Sequence, residues 1–270
     1  NIPAVGDITK VMLSMADTNQ DVIDLMNYRF TKSKSLGIHS VKNLLLMALM
    51  DLKGNFASAM PVMEKLLDVK GNILPLTEDN VDLVGITSSG KKVIGEHQLT
   101  KCASKIVEVK YDKEITVNPK VIKAVKDADL IIFSSGSLLT SIVPHLIDKG
   151  LVDVINKAKG EKVYICNLFT QPGETDGFTV KDHIGYLEKY LGKGSIDVVI
   201  ANDEVISSDL AKKYRNEEQK DPVLLDMHEL DESNIYVIKD KLFTIEDGWY
   251  RHDALKTGYL LFSYLMDGRK

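Results

Sequence analysis

Residues 162–179 read KVYICNLFTQPGETDGFT, and this stretch does most to decide the fold. Its first five residues have an apolar strand pattern that ends at Cys166, and a run rich in glycine, proline, amide, hydroxyl and carboxylate groups follows directly. Open α/β sheets bind their ligands beyond the carboxyl ends of the strands. We therefore predict that the loop over 167–179 forms part of a binding site rather than a simple connection.

Helix and strand patterns alternate on both sides of this stretch. Runs such as 130–133 and 198–200 are apolar at every position, as the strands of a parallel sheet covered by helices on both faces require. We therefore predict a doubly wound, mostly parallel α/β sheet. Its strands are predicted over 129–133, 162–166, 196–201, 223–225 and 235–238, and its helices over 119–127, 138–148, 151–158, 179–191, 207–216 and 252–266.

The first quarter of the chain has a helical pattern throughout. Asp7 is the predicted N-cap of the first helix, because an aspartate there can accept from the first backbone N–H groups. The predicted helices run over 8–16, 21–30, 40–52 and 56–67.

Residues 71–112 change to a shorter period. No helical pattern separates the β-like runs there, so we predict a small antiparallel β insertion. We expect residues 1–270 to form a single α/β domain that contains this insertion. The runs cover 72–76, 81–87, 92–98 and 105–111.

The composition favours a cytoplasmic protein that binds small molecules or other proteins. The 270 residues carry a net charge of −5 with a pI of about 5.7, which disfavours nucleic acid and anionic membranes as partners. Two distant cysteines support neither a disulfide framework nor a zinc site. We find no signal peptide, and the densest apolar stretch, 44–52, is too short to span a bilayer. The helix over 44–49 could form core or a homo-oligomer interface, and core is the simpler expectation.

Two polar segments at predicted strand ends are candidates for ligand binding. The turn 134–137 has small residues whose backbone N–H groups could hold a phosphate, although any short connection between a strand and a helix has a similar composition. In the loop, Glu174, Thr175 and Asp176 could bind hydroxyl groups, a base edge or a cation. The alternative is that these carboxylates only cap the helix that follows.

Other polar residues are expected near the same edge of the sheet. Arg251 could bind a phosphate with two hydrogen bonds or pair with a surface carboxylate. The sequence lacks the motifs G-x-S-x-G, G-x-x-x-x-G-K-[ST], H-E-x-x-H and G-x-G-x-x-G. No motif therefore supports the hypothesis of a hydrolase, a kinase or a zinc enzyme. The remaining candidates are Gly6, Asp7, His39, Ser40 and Asn202.

Taken together, these stretches resemble the CofD-like family. One branch is the bacterial gluconeogenesis-factor (YvcK) group, and the other contains 2-phospho-L-lactate transferase. The matching motifs follow one another along nearly the whole chain, and the string TQPGETDG over 170–177 points to the bacterial branch. The resemblance implies a Rossmann-like sheet and a ligand site formed by Gly6, Asp7, His39, Ser40, Asn43, Gly136, Ser137, Leu138, Thr140, Asn167, Gln171, Pro172, Gly173, Glu174, Thr175, Asp176, Asn202 and Arg251.

The resemblance also implies a function. In the bacterial branch it implies binding of a UDP-sugar such as UDP-N-acetylglucosamine, and a regulatory role that links gluconeogenic carbon flow to cell-wall precursors and cell shape, with a cell-wall precursor enzyme as partner. The first alternative is a phosphotransferase that uses a guanosine diphosphate donor, a deazaflavin acceptor and Mg²⁺, with Asp7 and Asp176 as candidate catalytic carboxylates. The second is an NAD(P)-binding protein. We expect a non-enzymatic binder without a metal site.

The sequence departs from the family pattern in several places. The family opens with a strand and a Gly-Gly-Gly-Thr-Gly turn, followed by Asp-Asp-Gly-Gly, and this sequence contains neither, so we expect it to begin partway into a longer gene product. Thr9 and Lys10 replace Arg-Asn, Ile38 and Lys42 replace glycines, and Ser135 replaces a proline. Because a side chain in place of glycine adds bulk where the backbone would approach a ligand, we expect ligand choice to differ.

Overall fold

The chain folds into two units, and the first of them is helical. The computed structural model describes residues 5–30, 39–102, 104–230, 233–246 and 248–267. The chain divides into two compact units, with the boundary between Asn80 and Val81, and the single domain over 1–270 stays a prediction. The helices of the first unit are α1 (Val5–Ser14), α2 (Gln20–Asn27), α3 (Val41–Lys53) and α4 (Phe56–Leu66).

Methionine side chains fill much of the core of this helical unit. Met12, Met26, Met60 and Met63 are buried together, and the flexible thioether side chain suits such an irregular contact between helices. The helix α1 begins at Val5, so Asp7 lies inside its first turn and is not the N-cap that the sequence predicts.

The predicted β insertion is an antiparallel sheet. Its elements are β1 (Leu83–Thr87), β2 (Lys92–Ile94), α5 (Glu96–Thr100) and β3 (Ile106–Tyr111), and the strand order is β2-β1-β3. A Cβ atom at Gly85 in β1 would lie 2.3 Å from Leu99, so the glycine lets α5 approach the sheet. The run 72–76 forms no strand, because Pro75 offers no N–H to a ladder.

A parallel sheet forms the centre of the second unit, and the predicted mixed α/β class is confirmed. Its strands lie in the order β4-β5-β6-β7, with register pairs such as Ile132 with Val163 and Val163 with Val198. The elements are α6 (Pro119–Asp127), β4 (Leu130–Phe133), α7 (Lys149–Lys157), β5 (Glu161–Ile165), α8 (Val180–Leu191), β6 (Val198–Asn202), α9 (Ser208–Glu218), α10 (Met227–Leu230), β7 (Tyr236–Asp240), β8 (Phe243–Glu246), β9 (Trp249–His252) and α11 (Ala254–Asp267).

Both faces of this sheet are covered. On one face, Val163 and Ile200 pack with Tyr214 of α9, Tyr250 of β9 and Tyr264 of α11. The next residue along β5, Tyr164, faces the other way and stacks on His183 of α8, with ring centroids 6.3 Å apart. The strands are therefore apolar on both faces because other elements cover both faces of the sheet, as the sequence predicts.

Three predicted elements of the second unit differ from the structure. The predicted helix 138–148 is a π-helical turn over Leu138–Ile142 and a 3₁₀ turn over Val143–Leu146, because Pro144 cannot donate the hydrogen bond that a continuous α-helix needs. The predicted strand 223–225 is only an extended segment in which the Val223 N–H donates to the carbonyl of Leu168. The predicted helix 252–266 begins at Ala254, because the hairpin of β8 and β9 ends at His252.

The terminal helix α11 has one buried face and one exposed apolar face. Tyr264 is buried, whereas Leu255, Tyr259, Phe262 and Met266 are exposed. In the part of the chain that the structure describes, neither α11 nor any other helix has the length and apolarity needed to cross a membrane.

Candidate functional site

The segments that leave β4, β5 and β6 meet at the carboxyl edge of the parallel sheet. The turn 134–137 follows β4, the loop 167–179 follows β5 after Cys166, and Asn202 ends β6. Because these strands are neighbours and parallel, the segments lie side by side. The structure therefore brings the predicted residues of the turn, the loop and the end of β6 to the predicted edge.

Glu174 connects the loop to the turn after β4. Its carboxylate oxygens accept from the Ser137 hydroxyl at 2.7 and 3.0 Å, and one of them accepts from the Leu139 N–H at 3.3 Å. Only 5% of Glu174 is exposed, and this burial raises its pKa, against the opposing effect of the hydrogen bonds from Ser137 and Leu139. Glu174 thus fixes the conformation of the turn.

Asn167 holds the same turn from the other side. Its amide nitrogen donates to the carbonyls of Ser135 and Gly136 at 3.2 and 3.0 Å, and its amide oxygen accepts from the Tyr164 hydroxyl at 3.1 Å. Tyr164 is a part of the site that was not predicted from the sequence. The signal was a hydroxyl group inside an otherwise apolar strand, directly before the polar loop.

Three successive backbone N–H groups at the turn have no partner among the described residues. The Asn167 amide donates to carbonyls of the turn, and the Glu174 carboxylate accepts from the Leu139 N–H. Gly136, Ser137 and Leu138 donate no backbone hydrogen bond to any residue that the structure describes. Successive free N–H groups form a concave site for an anion, so the turn keeps the chemistry of the predicted phosphate site.

The remaining polar groups of the loop mostly stabilise the loop itself. The Thr175 hydroxyl accepts from the Gln171 N–H at 2.9 Å, and the Asp176 carboxylate accepts from the Gly173 N–H at 2.7 Å. The side-chain oxygen of Gln171 is buried and has no partner among the described residues. Of these side chains, Gln171 is therefore the one with a buried acceptor that has no partner among the described residues.

Gly173 packs the loop against the β insertion. Its φ is +76°, and a Cβ atom there would lie 2.3 Å from the Cys102 carbonyl oxygen. The Gly173 carbonyl accepts from the Ile106 N–H at 3.1 Å. Glycine is therefore required here both by conformation and by space. The contacts of Gly173 with Cys102 and Ile106 were not predicted from the sequence, because they join segments far apart in the chain.

The helix-capping alternative for Glu174 and Asp176 does not hold. Thr179 is the N-cap of α8: its hydroxyl accepts from the Asp182 N–H, and the Asp182 carboxylate accepts from the Thr179 N–H at 2.9 Å. Glu174 and Asp176 have the separate partners already described. Pro172 lies in the tight turn that precedes them.

Two further predicted residues lie away from the turn. The Asn202 amide donates to the Glu204 carbonyl at 2.7 Å and accepts from the Leu242 N–H at 3.2 Å, so it joins the ends of β6 and β7. Arg251 is exposed on β9 and forms no ion pair with a carboxylate that the structure describes.

Thr140, in contrast, supports the turn directly, because its N–H and hydroxyl both donate to Ser137 Oγ.

The predicted residues of the helical unit form their own group. His39 and Ser40 precede α3, and Asn43 lies in its first turn, where its side-chain oxygen accepts from the Thr9 hydroxyl at 2.8 Å. Gly6 and Asp7 belong to α1, and the Asp7 side chain lies outside what the structure describes. Among the described residues, no three His, Cys, Asp or Glu side chains are placed to hold a metal ion together.

Comparison with known proteins identifies the family of this chain. The sequence model of the family described as 2-phospho-L-lactate transferase CofD matches residues 1–243. A putative gluconeogenesis factor of Thermotoga maritima is 39% identical over 264 residues, which cover 95% of this chain and 82% of that protein. The gluconeogenesis factor of Bacillus subtilis is 37% identical over 267 residues, or 98% of this chain and 84% of that protein.

A solved structure agrees with these relatives. The crystal structure of a Bacillus halodurans protein superposes with a TM-score of 0.90 at 33% sequence identity, and the match covers 96% of this chain and 84% of that one. The predicted family resemblance is confirmed by sequence and by structure. The chain therefore belongs to the CofD family, in the branch whose curated members are the gluconeogenesis factors.

Proposed function

We propose that the protein binds a nucleotide sugar of the UDP-N-acetylglucosamine type at the carboxyl edge of its parallel sheet. The free N–H groups of Gly136, Ser137 and Leu138 carry this proposal, because diphosphate oxygens are the acceptors that such a turn fits. The buried acceptor of Gln171 supports it, since sugars and bases offer N–H and O–H donors.

The proposed role is regulatory, in the cytoplasm, with a cell-wall precursor enzyme as partner. The protein would link gluconeogenic carbon flow to the supply of cell-wall precursors and to cell shape. Its relatives in Thermotoga maritima and Bacillus subtilis are named gluconeogenesis factors, which favours this role over catalysis. The hydrogen bonds that Glu174 and Asp176 already make within the protein favour it as well.

Calorimetry with a matched pair of variants tests the binding site. We expect heat with UDP-N-acetylglucosamine and about a tenfold loss of affinity in Gly136→Ala, because the added methyl lies beside the free N–H groups and only 3.1 Å from Ser141 Cβ. Gly185→Ala, on α8 with open space around it, is the control. No heat at millimolar ligand, or equal affinity in both variants, would contradict the proposal.

A second candidate function is phosphotransfer of the 2-phospho-L-lactate transferase type. The description of the matching family favours it, and Asp176 is the candidate carboxylate whose side chain the structure describes. Incubation with a guanosine diphosphate donor, Mg²⁺ and a deazaflavin acceptor should then yield product. A blank reaction under saturating conditions removes this candidate.

Thermal unfolding tests the alternative that the protein binds NAD(P). A ligand that binds the folded state raises the melting temperature in line with its affinity. We expect UDP-N-acetylglucosamine to raise it more than NADP⁺ or GDP at equal concentration. A larger rise with NADP⁺ would replace the nucleotide sugar as the proposed ligand.

A further inference from the structure

The outer face of α11 is uncharged along nearly the whole helix. The inner face packs on the core of the second unit through Leu260, Leu261 and Tyr264. Lys256 is the only charged residue over 254–266, and its ammonium donates to the Asp240 carboxylate at 2.6 Å. A helix that faced only water would carry charged side chains on its outer side. The exposed residues, which we call the α11 face, are Ala254, Leu255, Gly258, Tyr259, Phe262, Leu265 and Met266.

The α11 face has the size of a protein interface. Its five large side chains are between 48% and 86% exposed. At about 200 Å² for a fully exposed side chain of this size, they present roughly 600 Å² together. The largest apolar patch on an ordinary monomer reaches about 600 Å², whereas each partner in a stable complex buries about 800 Å². Tyr236 of β7 extends the patch, because it is half exposed and stacks on Tyr264 with ring centroids 5.3 Å apart.

The spacing of the large side chains fits a second helix. Leu255, Tyr259, Phe262 and Met266 follow one another at intervals of four, three and four residues. With this spacing, the side chains of one helix fit between those of a partner helix that lies along it. The pattern therefore favours a helix as the surface that covers the α11 face.

Gly258 in the middle of the face adds an independent observation. Glycine inside a helix destabilises the protein relative to alanine. A Cβ atom at Gly258 would meet nothing within 4 Å, so no neighbour in the described chain requires a glycine there. A residue without a side chain lets another backbone approach closely. Gly258 is therefore explained by a helix that packs on α11 from outside the chain.

The charges near this face decide between the possible occupants. A partner of opposite charge is selected by charged side chains at the contact, and the α11 face has none. A helix that lies on a membrane surface carries several lysines and arginines, whereas Lys256 is the only basic residue of α11 and is paired with Asp240. A second copy of the chain presents the same uncharged surface, and a twofold axis matches the face with itself.

We propose that two copies of the chain associate through their α11 faces, with each α11 packed against the α11 of the other copy about a twofold axis. The two faces would bury on the order of 1,200 Å² in total, which is at the lower limit for a stable interface. We therefore expect a reversible dimer with a dissociation constant in the micromolar range. The association does not depend on the proposed binding of a nucleotide sugar.

Sedimentation velocity of the purified, ligand-free chain over a wide range of concentrations tests the dimer. We expect the wild type to shift from monomer to dimer as the concentration rises. Phe262→Glu should weaken the association at least about a hundredfold, because the twofold axis brings two unpaired carboxylates into one apolar contact. Ile94→Glu is the matched control, because it adds the same charge at an exposed apolar residue of β2, and it should dimerise like the wild type.

Gly258→Ala separates association from folding. Alanine favours the helix, so the melting temperature of the monomer should stay unchanged or rise, while the added methyl group weakens the association at least about tenfold. A wild type that stays monomeric at every concentration would overturn the proposal. So would equal association of Phe262→Glu and Ile94→Glu, or of Gly258→Ala and the wild type. A monomer that sediments with phosphatidylserine vesicles would replace the second copy with a membrane.

Discussion

The Glu174 carboxylate is buried against the turn after β4, and its contacts explain why this residue type is needed there. A carboxylate can accept from the Ser137 hydroxyl and from the Leu139 N–H at the same time, whereas an alanine would leave both donors without a partner. These two hydrogen bonds therefore hold the turn in one conformation. The role of Glu174 is therefore to position the turn at which we propose that a ligand binds.

Replacing Glu174 with glutamine removes a titration that affects stability. Burial raises the folded-state pKa above the ordinary value of 4.5, so the folded protein keeps a proton that the unfolded chain loses. This contribution to stability is complete below the unfolded-state pKa and is lost as the pH rises through the folded-state pKa. We therefore expect the melting temperature of the wild type to fall relative to Glu174→Gln as the pH rises from 4.5 through that window.

A surface substitution controls for the loss of one negative charge in this experiment. Glu217→Gln changes an exposed residue of α9 and should not reproduce the effect. Melting curves of the wild type and Glu174→Gln that shift in parallel across the whole pH range would show that the carboxyl group is not perturbed by burial.

The two cysteines should differ sharply in reactivity. Burial raises the pKa of the Cys166 thiol to about 12, and the thiolate is the form that reacts. Cys102 is partly exposed. At about pH 8 we expect iodoacetamide to modify Cys102 in the folded protein and Cys166 only after unfolding, as read from peptide masses. Equal rates for both thiols in the folded state would contradict the buried position of Cys166.

At the scale of single elements, the segment after β4 shows where sequence patterns lose their predictive power. The apolar run from Leu138 predicts a helix, and a helical path does begin there, but it takes π and 3₁₀ turns around Pro144. The Leu139 N–H finds its partner in Glu174, far along the chain. Local pattern could therefore predict where the polar groups lie, but not in which direction Glu174 points.

Glycine substitutions in the loop should separate conformation from packing. Gly173 and Gly177 both have positive φ, but only Gly173 lies against another backbone, while Gly177 has open space around it. Gly177→Ala should cost about 1 kcal/mol for the left-handed conformation. Gly173→Ala should cost at least about 2 kcal/mol, because the methyl group also overlaps the Cys102 carbonyl. Urea unfolding measures both, and equal costs would show that the loop shifts freely.

At the scale of the whole molecule, the parallel sheet could be predicted from the sequence and the separate hairpin that follows it could not. The strands β4, β5 and β6 lie close to their predicted positions, because strands buried on both faces are apolar throughout. The hairpin of β8 and β9 was missed, because its strands are only four residues long and only Phe243 and Tyr250 in them are buried. Its position depends on packing against the core, which no local pattern reveals.

Amide hydrogen exchange should be slow in the buried central strand β6 and fast in the exposed edge strand β2. The strand β6 pairs with a neighbour on each side, and Val198 and Ile200 are fully buried, so its amides should exchange slowest. The strand β2 lies at the edge of the insertion and is largely exposed, so its amides should exchange early. Exchange followed by mass spectrometry of peptides measures both. Slower exchange in β2 than in β6 would contradict the structure as described.

The hydrogen bond from the Ile106 N–H to the Gly173 carbonyl has a use beyond packing. It is the backbone bond by which β3 of the insertion meets the loop after β5. An amide resonance is sensitive to the length of the hydrogen bond that it donates. The nuclear magnetic resonance signal of Ile106 therefore reports the position of the Gly173 peptide group, so that a spectrum of the insertion can register a movement of the loop at the sheet edge.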